Sequence, residues 1–257
     1  MKILIVNDEG LFSAGSLALA RVLANYHQVI VVAPEARSIG ASHSFTAGNN
    51  VLRVKPYNFI NNVKLFAVNG TPCDCVALAL EHICKSKPDL IISGVDYEKN
   101  IGNGIVSSGN VAAAMEGTFN SIPSMSISYA IEERDSPEHA FYKVAKFINK
   151  NLNFFISKIV PKTTLNINIP VNYNKKRVMW CRTVDGFSSS NYIKEENCFG
   201  QDFLWLDIRK KGYSIEVLEQ DADLMWLLKD YITITPLKSN MTDFEFNEEL
   251  KRIEFKL

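Results

Sequence analysis

The chain has 257 residues, 47% hydrophobic and 22% charged, an ordinary composition for a soluble globular protein with room for one large core. Lysine plus arginine and aspartate plus glutamate each number 28, so the formal net charge is zero and no basic excess favours a nucleic-acid partner. Five cysteines (Cys73, Cys75, Cys84, Cys181, Cys198) are an odd number without regular spacing, which argues against a disulfide framework or a zinc knuckle and for reduced thiols in the cytoplasm.

The first element is "ILIV" (3–6), a short β-branched run expected to be a strand buried on both faces. It turns acidic at once, in "NDEG" (7–10), so it is neither a signal peptide nor a membrane span. "SLALARVLANY" (16–26) has helical character, and "QVIVVAP" (28–34) is a second buried strand stopped by Pro34. "KLFAV" (64–68) is the third strand, "CDCVALALEHICK" (73–85) a helix after "GTP", and "DLIISGV" (89–95) another buried strand. "NVAAAMEGTF" (110–119) reads as a small-residue helix, "SMSISYA" (124–130) as a strand, and 136–159 as a long amphipathic helix begun by Ser136 and Pro137. Strands alternating with helices predict an α/β fold: a mostly parallel sheet covered on both faces. From about residue 171 the pattern changes to tyrosine, tryptophan and short alternating stretches such as "FLWLDI" (203–208), which predicts a hairpin-rich section. "YITITPL" (231–237) is a late strand.

Ligands in open α/β sheets bind beyond the carboxyl ends of the strands. Four polar clusters fall there: "NDEG", "EARSIGASHS", "NGTPCDC" and "DYEKNIGNG". Asp8, Glu9 and Asp96 are then three carboxylates able to meet, and such charges repel unless a cation joins them. All-oxygen ligands suit a hard divalent cation, magnesium or manganese first. Each residue alone has a plainer reading, as a turn or loop cap; the shared position at strand ends favours the metal. "SSGN" (107–110) opens the next helix and offers backbone N–H groups as an anion cradle, with "GNG" (102–104) upstream, although an ordinary N-cap by Ser108 or Asn110 gives the same pattern. A cation beside an anion cradle points to phosphate-ester chemistry. The P-loop, the dinucleotide-binding glycine pattern and the hydrolase nucleophile elbow are absent. Of the four histidines only His43 lies near this edge, either as an acid or hydrogen-bond donor or as a structural loop residue.

These segments resemble the SurE (stationary-phase survival protein E) nucleotidases. "MKILIVNDEG", "VVAPEARSIGASHSFT", "GTPCDCVALAL", "DLIISGVDYEKNIG", "SSGNVAAAMEG", "LNINIP" (165–170) and "YITITPL" follow in the family's order, with Asp223 at an acidic position before the last. The resemblance implies a Rossmann-like core with a C-terminal β-hairpin extension, at about 171–213, that helps build homodimers or homotetramers. It also implies metal-dependent hydrolysis of nucleoside 5′-monophosphates, with 3′-nucleotides and short polyphosphate as further substrates. Its pattern holds at Asn7, Asp8, Gly10, Asn100, Gly102, Ser108 and Gly109.

The chain departs from the pattern where ligands are expected. Glu9 replaces a second aspartate, Asp96 a ligand asparagine, Glu98 a loop glycine, and Asn110 the threonine after Ser-Gly. Ile39 occupies the ligand serine's place, so Ser38 serves if the loop shifts, or else Ser42 or water does. Asp96 adds a negative charge, which should tighten cation binding and leave less positive charge for a phosphate dianion. The expected site is therefore Asp8, Glu9, Asp96 and Ser38 on the metal, with Asn7, Asn100, Gly102, Ser108, Gly109 and Asn110 toward the substrate and Asp8 as the candidate base. The rival expectation is a nucleotide- or metal-binding protein on the same fold without useful turnover.

Overall fold

The computed structural model describes residues 1–48, 50–130, 138–173, 177–184, 192–206 and 220–250. In chain order these form β1 (Lys2–Val6), α1 (Ala14–Leu23), β2 (Gln28–Pro34), β3 (Val54–Tyr57), β4 (Val63–Val68), α2 (Pro72–Leu78) and β5 (Leu90–Asp96). There follow α3 (Gly104–Ser107), α4 (Gly109–Phe119), β6 (Ser124–Ala130), α5 (Glu138–Lys158), β7 (Thr163–Pro170) and β8 (Val178–Trp180). The C-terminal part holds β9 (Tyr192–Glu196), β10 (Asp202–Leu206), α6 (Asp223–Leu228), β11 (Ile232–Lys238) and α7 (Phe244–Leu250).

Among the described residues, nine strands build one sheet in the order β3-β4-β2-β1-β5-β6-β7-β11-β8. The run from β4 to β7 is parallel, while β3 and β11 pair antiparallel with β4 and β7. The expected α/β fold is present, and β1 shows why "ILIV" carries no polar residue. Ile3 and Ile5 face the core under α1 and α5, whereas Leu4 and Val6 face the core under α2 and α4. Both faces are covered, so alternation disappears. In α5, Phe141, Val144, Ala145, Ile148, Leu152 and Phe155 recur at helical spacing and are buried, and the helix packs on α1.

Several boundaries differ from the sequence reading. The first helix starts at Ala14 and ends at Leu23, before Tyr26 and His27. The helix expected at 73–85 is α only over Pro72–Leu78 and continues as a wider π turn over Ala79–Ile83. Its start is a capping box: Thr71 Oγ1 accepts from Asp74 N–H, and Asp74 accepts from Thr71 N–H, with Pro72 entering the first turn. Ser136 and Pro137, expected to start α5, lie outside the described residues. The section from 171 is not uniformly hairpin: β8 joins the main sheet, and the antiparallel pair is β9 with β10, while 185–191 and 207–213 lie outside the described residues. Among the described residues no helix is long and apolar enough to cross a membrane. All five cysteines are unpaired thiols.

Asp223, noted in the sequence only for its position, ties three segments together. Its fully buried carboxylate accepts from Gly102 N–H (3.1 Å), Val184 N–H (3.1 Å) and Leu224 N–H (2.8 Å). Around it Ile101, Val184, Ala222, Leu224 and Leu227 form a separate small core. Asp223→Ala would leave buried N–H groups unpaired, and the expected loss is about 3 kcal/mol of stability, read as a lower urea midpoint.

Candidate functional site

In the sheet order, β1 is flanked by β2 on one side and β5 on the other, so the chain's winding reverses between β1 and β5. That reversal opens a crevice at the strands' carboxyl ends. β1 delivers Asp8 there and β5 ends on Asp96. The two carboxyls are both buried and lie within hydrogen-bonding reach of each other.

Asp8 also meets the start of α4. Asn110 N–H donates to Asp8 Oδ2 at 3.1 Å, so the carboxylate caps the positive end of the helix. Gly109 eases the contact: a Cβ there would stand a tight 3.1 Å from both Asp8 Cβ and Pro72 Cγ. Burial nevertheless raises Asp8 to about 6, with Glu98 adding repulsion against the pull of Asp96 and Asn110 N–H. Glu9 is pushed up to about 7, first by burial and then by the charge of Asp8, and is drawn down by Ser13, Tyr97 N–H and Arg37. Burial, then the charges of Asp8 and Glu9, hold Asp96 well above the usual carboxylate range.

The structure brings together some predicted residues and employs others elsewhere. Glu9 sits at the rim, where its carboxylate accepts from Ser13 Oγ at 3.1 Å. Asp8 and Asp96 are thus a pair, and among the described residues no three histidine, cysteine, aspartate or glutamate side chains stand ready as a metal cage. Asn7 is engaged within its turn: its Oδ1 accepts from Gly10 N–H (2.7 Å) and its Nδ2 donates to Ser16 Oγ (2.9 Å). Ser108 caps α4 by accepting from Val111 N–H, the plainer of its two sequence readings. Asn110 offers its backbone to Asp8, while its carboxamide accepts from Ser93 Oγ inside the sheet. Gly102, at φ +49°, gives its N–H to Asp223, and a Cβ there would come within 2.7 Å of Val184 Cγ1.

The loop after β2 is fastened over this crevice. Ser38 N–H donates to the Asp8 carbonyl at 2.7 Å, which seats Ser38 and the half-buried Ile39 beside the first loop. Ser42 is bound to Val106 O and Ser107 O, facing α3. His43 pairs with Glu116 on α4 at 2.9 Å and stacks on Phe119, so it anchors this loop to the helix. Thr46 and Ser44 close the loop onto the α2 cap through Asp74 and Thr71.

A hard divalent cation suits the donor set at this crevice. The oxygens are carboxyl groups of two loops, and buried Asp96 Oδ1 has no hydrogen-bond partner among the described residues. Sequence reasoning missed the buried polar side chains beneath: Ser126, Ser128, Asn166 and Asn168. The signal was there in "LNINIP", where two asparagines two apart must share one face of an otherwise apolar strand.

The chain is similar to known proteins along nearly its whole length. The family model for Survival protein SurE matches residues 3–189. The 5′-nucleotidase SurE of Thermoanaerobacter sp. (strain X514) is 33% identical over 262 residues, covering 100% of both chains. That of Thermosipho melanesiensis is 34% identical, covering 99% of this chain and 96% of its own. The crystal structure of the SurE protein from Aquifex aeolicus superposes with a TM-score of 0.76 at 30% identity, covering 98% of each chain.

Proposed function

This chain belongs to the SurE family, and from that premise we propose that it is a divalent-metal-dependent phosphomonoesterase acting on nucleoside 5′-monophosphates. The observation that carries the reading is the buried Asp8–Asp96 pair at the sheet's reversal, facing the first turn of α4 with Asp96 Oδ1 unpartnered. Relatives named 5′-nucleotidase support the nucleotide as substrate.

Asp8 and Asp96 would hold the cation, magnesium or manganese, with Glu9 and Ser38 as the further oxygen donors. When bound, such a cation supplies Lewis-acid charge to a phosphoryl oxygen and lowers the pKa of a water. The rest falls to the chain. The start of α4 brings the helix's positive end to the phosphate, with the Asn110 N–H committed to Asp8 and the Ser108 N–H to Ile105 O. Gly109 lets that turn approach Asp8. Asp8 is assigned as the base for the attacking water through a carboxylate oxygen not on the cation, with Asn110 N–H fixing its Oδ2. The hairpin of β9 and β10 exposes Tyr192, Leu204 and Trp205, and we assign it to assembly with further copies of this chain, as a homodimer or homotetramer.

Phosphate release from nucleoside 5′-monophosphates, 3′-monophosphates and short polyphosphate, each with magnesium, manganese or chelator, tests the proposal. The expected result is turnover of the 5′-monophosphates with a cation and none with chelator. Folded protein that releases no phosphate with either cation would overturn it. The second reading, nucleotide or metal binding without useful turnover, would then stand, supported by Glu9 being held at Ser13 and Ile39 standing in the ligand serine's place.

A further inference from the structure

β7 places Asn166 and Asn168 on one face of the sheet, both fully buried. Burying two carboxamides is unfavourable unless their polar atoms are paired. Both are paired, and with the main chain of one residue, Asn100. Asn168 Oδ1 accepts from Asn100 N–H at 2.8 Å, and Asn168 Nδ2 donates to Asn100 O at 3.0 Å. Asn166 Nδ2 donates to the same carbonyl at 2.7 Å, while its Oδ1 accepts from Ser126 Oγ at 2.9 Å. A backbone N–H can only donate, so the Asn168 carboxamide has one workable orientation. Asn168 thus clamps both polar groups of Asn100 as a neighbouring strand would.

The clamped residue reaches the candidate site. Asn100 Nδ2 donates to Ser128 Oγ at 2.8 Å, and Ser128 is the register partner of Asp96 across the sheet, which puts the Asn100 carboxamide beside the Asp96 carboxyl. The loop between Asp96 and α3 is therefore held by the floor of the sheet. A purely structural purpose would be met by an apolar floor with the loop's polar groups turned to water. Three hydrogen bonds converge on the main chain of Asn100, whose side chain is bonded to the register partner of Asp96, and so serve to fix that carboxyl. We propose that Asn166 and Asn168 are positioning residues that set the Asp96 carboxyl for its cation by clamping the main chain of Asn100. The inference rests on the cation site of the proposed function and adds residues that touch neither cation nor substrate.

Groups that orient a metal ligand from behind typically change metal affinity by about 10- to 100-fold when removed. The test is calorimetric titration of manganese into the intact wild-type protein, Asn168→Ala and Ser128→Ala, with far-ultraviolet circular dichroism as the check on folding. The expected result is a manganese dissociation constant about 10-fold or more higher in Asn168→Ala, with phosphate release recovering at saturating manganese. Ser128→Ala removes only a hydroxyl and should give a smaller rise of the same sign; it decides the matter by itself if Asn168→Ala does not fold. Variants that fold and bind manganese within twofold of wild type would overturn the inference and leave the cation site intact. Wild-type protein that binds no manganese would overturn the cation site, and this inference with it.

Discussion

Replacing Asp8 by asparagine is expected to lower phosphate release by about 100- to 1000-fold, the scale at which losing one preorganised charge-stabilising group is felt. The same substitution should stabilise the cation-free protein at pH 8, on the order of 2 kcal/mol. Burial raises Asp8 from 3.8 to about 6, so above that pH the fold holds a charge it disfavours. Asparagine keeps an acceptor for Asn110 N–H, so the contact with α4 survives. Activity and stability then move in opposite directions, and a kinetic assay beside a urea titration reads both. A variant that loses activity and stability together would mark Asp8 as a scaffold residue instead.

The second large effect is the dependence of stability on pH and cation. Asp8 rises to about 6, Glu9 to about 7, and Asp96 rises well above the carboxylate range. In the unfolded chain these groups ionise near their ordinary values. Between those values and the folded ones, the native state binds more protons than the unfolded state, so stability falls as pH rises. Their contribution is complete below about pH 4 and is lost progressively through about 6 and 7. His27, whose value burial lowers, works in the opposite direction. The cation-free protein should therefore melt lower at pH 8 than at pH 5, by about 5–10 °C for a chain of this size. A divalent cation competes with protons for the same carboxylates, so manganese should restore most of the loss at pH 8 and add little at pH 5. Thermal melts at both pH values, with manganese or chelator, give the comparison. Equal manganese shifts at the two pH values would show that the cation binds elsewhere.

What the sequence determined by itself is the α/β frame and the edge where chemistry gathers. "ILIV", "QVIVVAP" and "DLIISGV" are apolar on both faces because each strand is covered by helices on both sides, and the polar clusters after them had to share one edge of a parallel sheet. Asp8 and Asp96 were legible on those grounds. The hydrogen-bond partners were not, because they come from residues far apart in the chain. Asn7 had the right type for a ligand, but its amide is satisfied inside the turn by Gly10 and Ser16. Glu9 is adjacent to Asp8 in sequence, yet in the loop after β1 it is Ser13, four residues on, that receives its carboxylate. Asp223 meets Gly102 from 121 positions away, and Asn168 meets Asn100 from 68. Periodicity and composition report which face a side chain takes, since that follows from local backbone geometry. Which polar group satisfies another once water is excluded depends on how distant segments pack, and only the tertiary structure decided that.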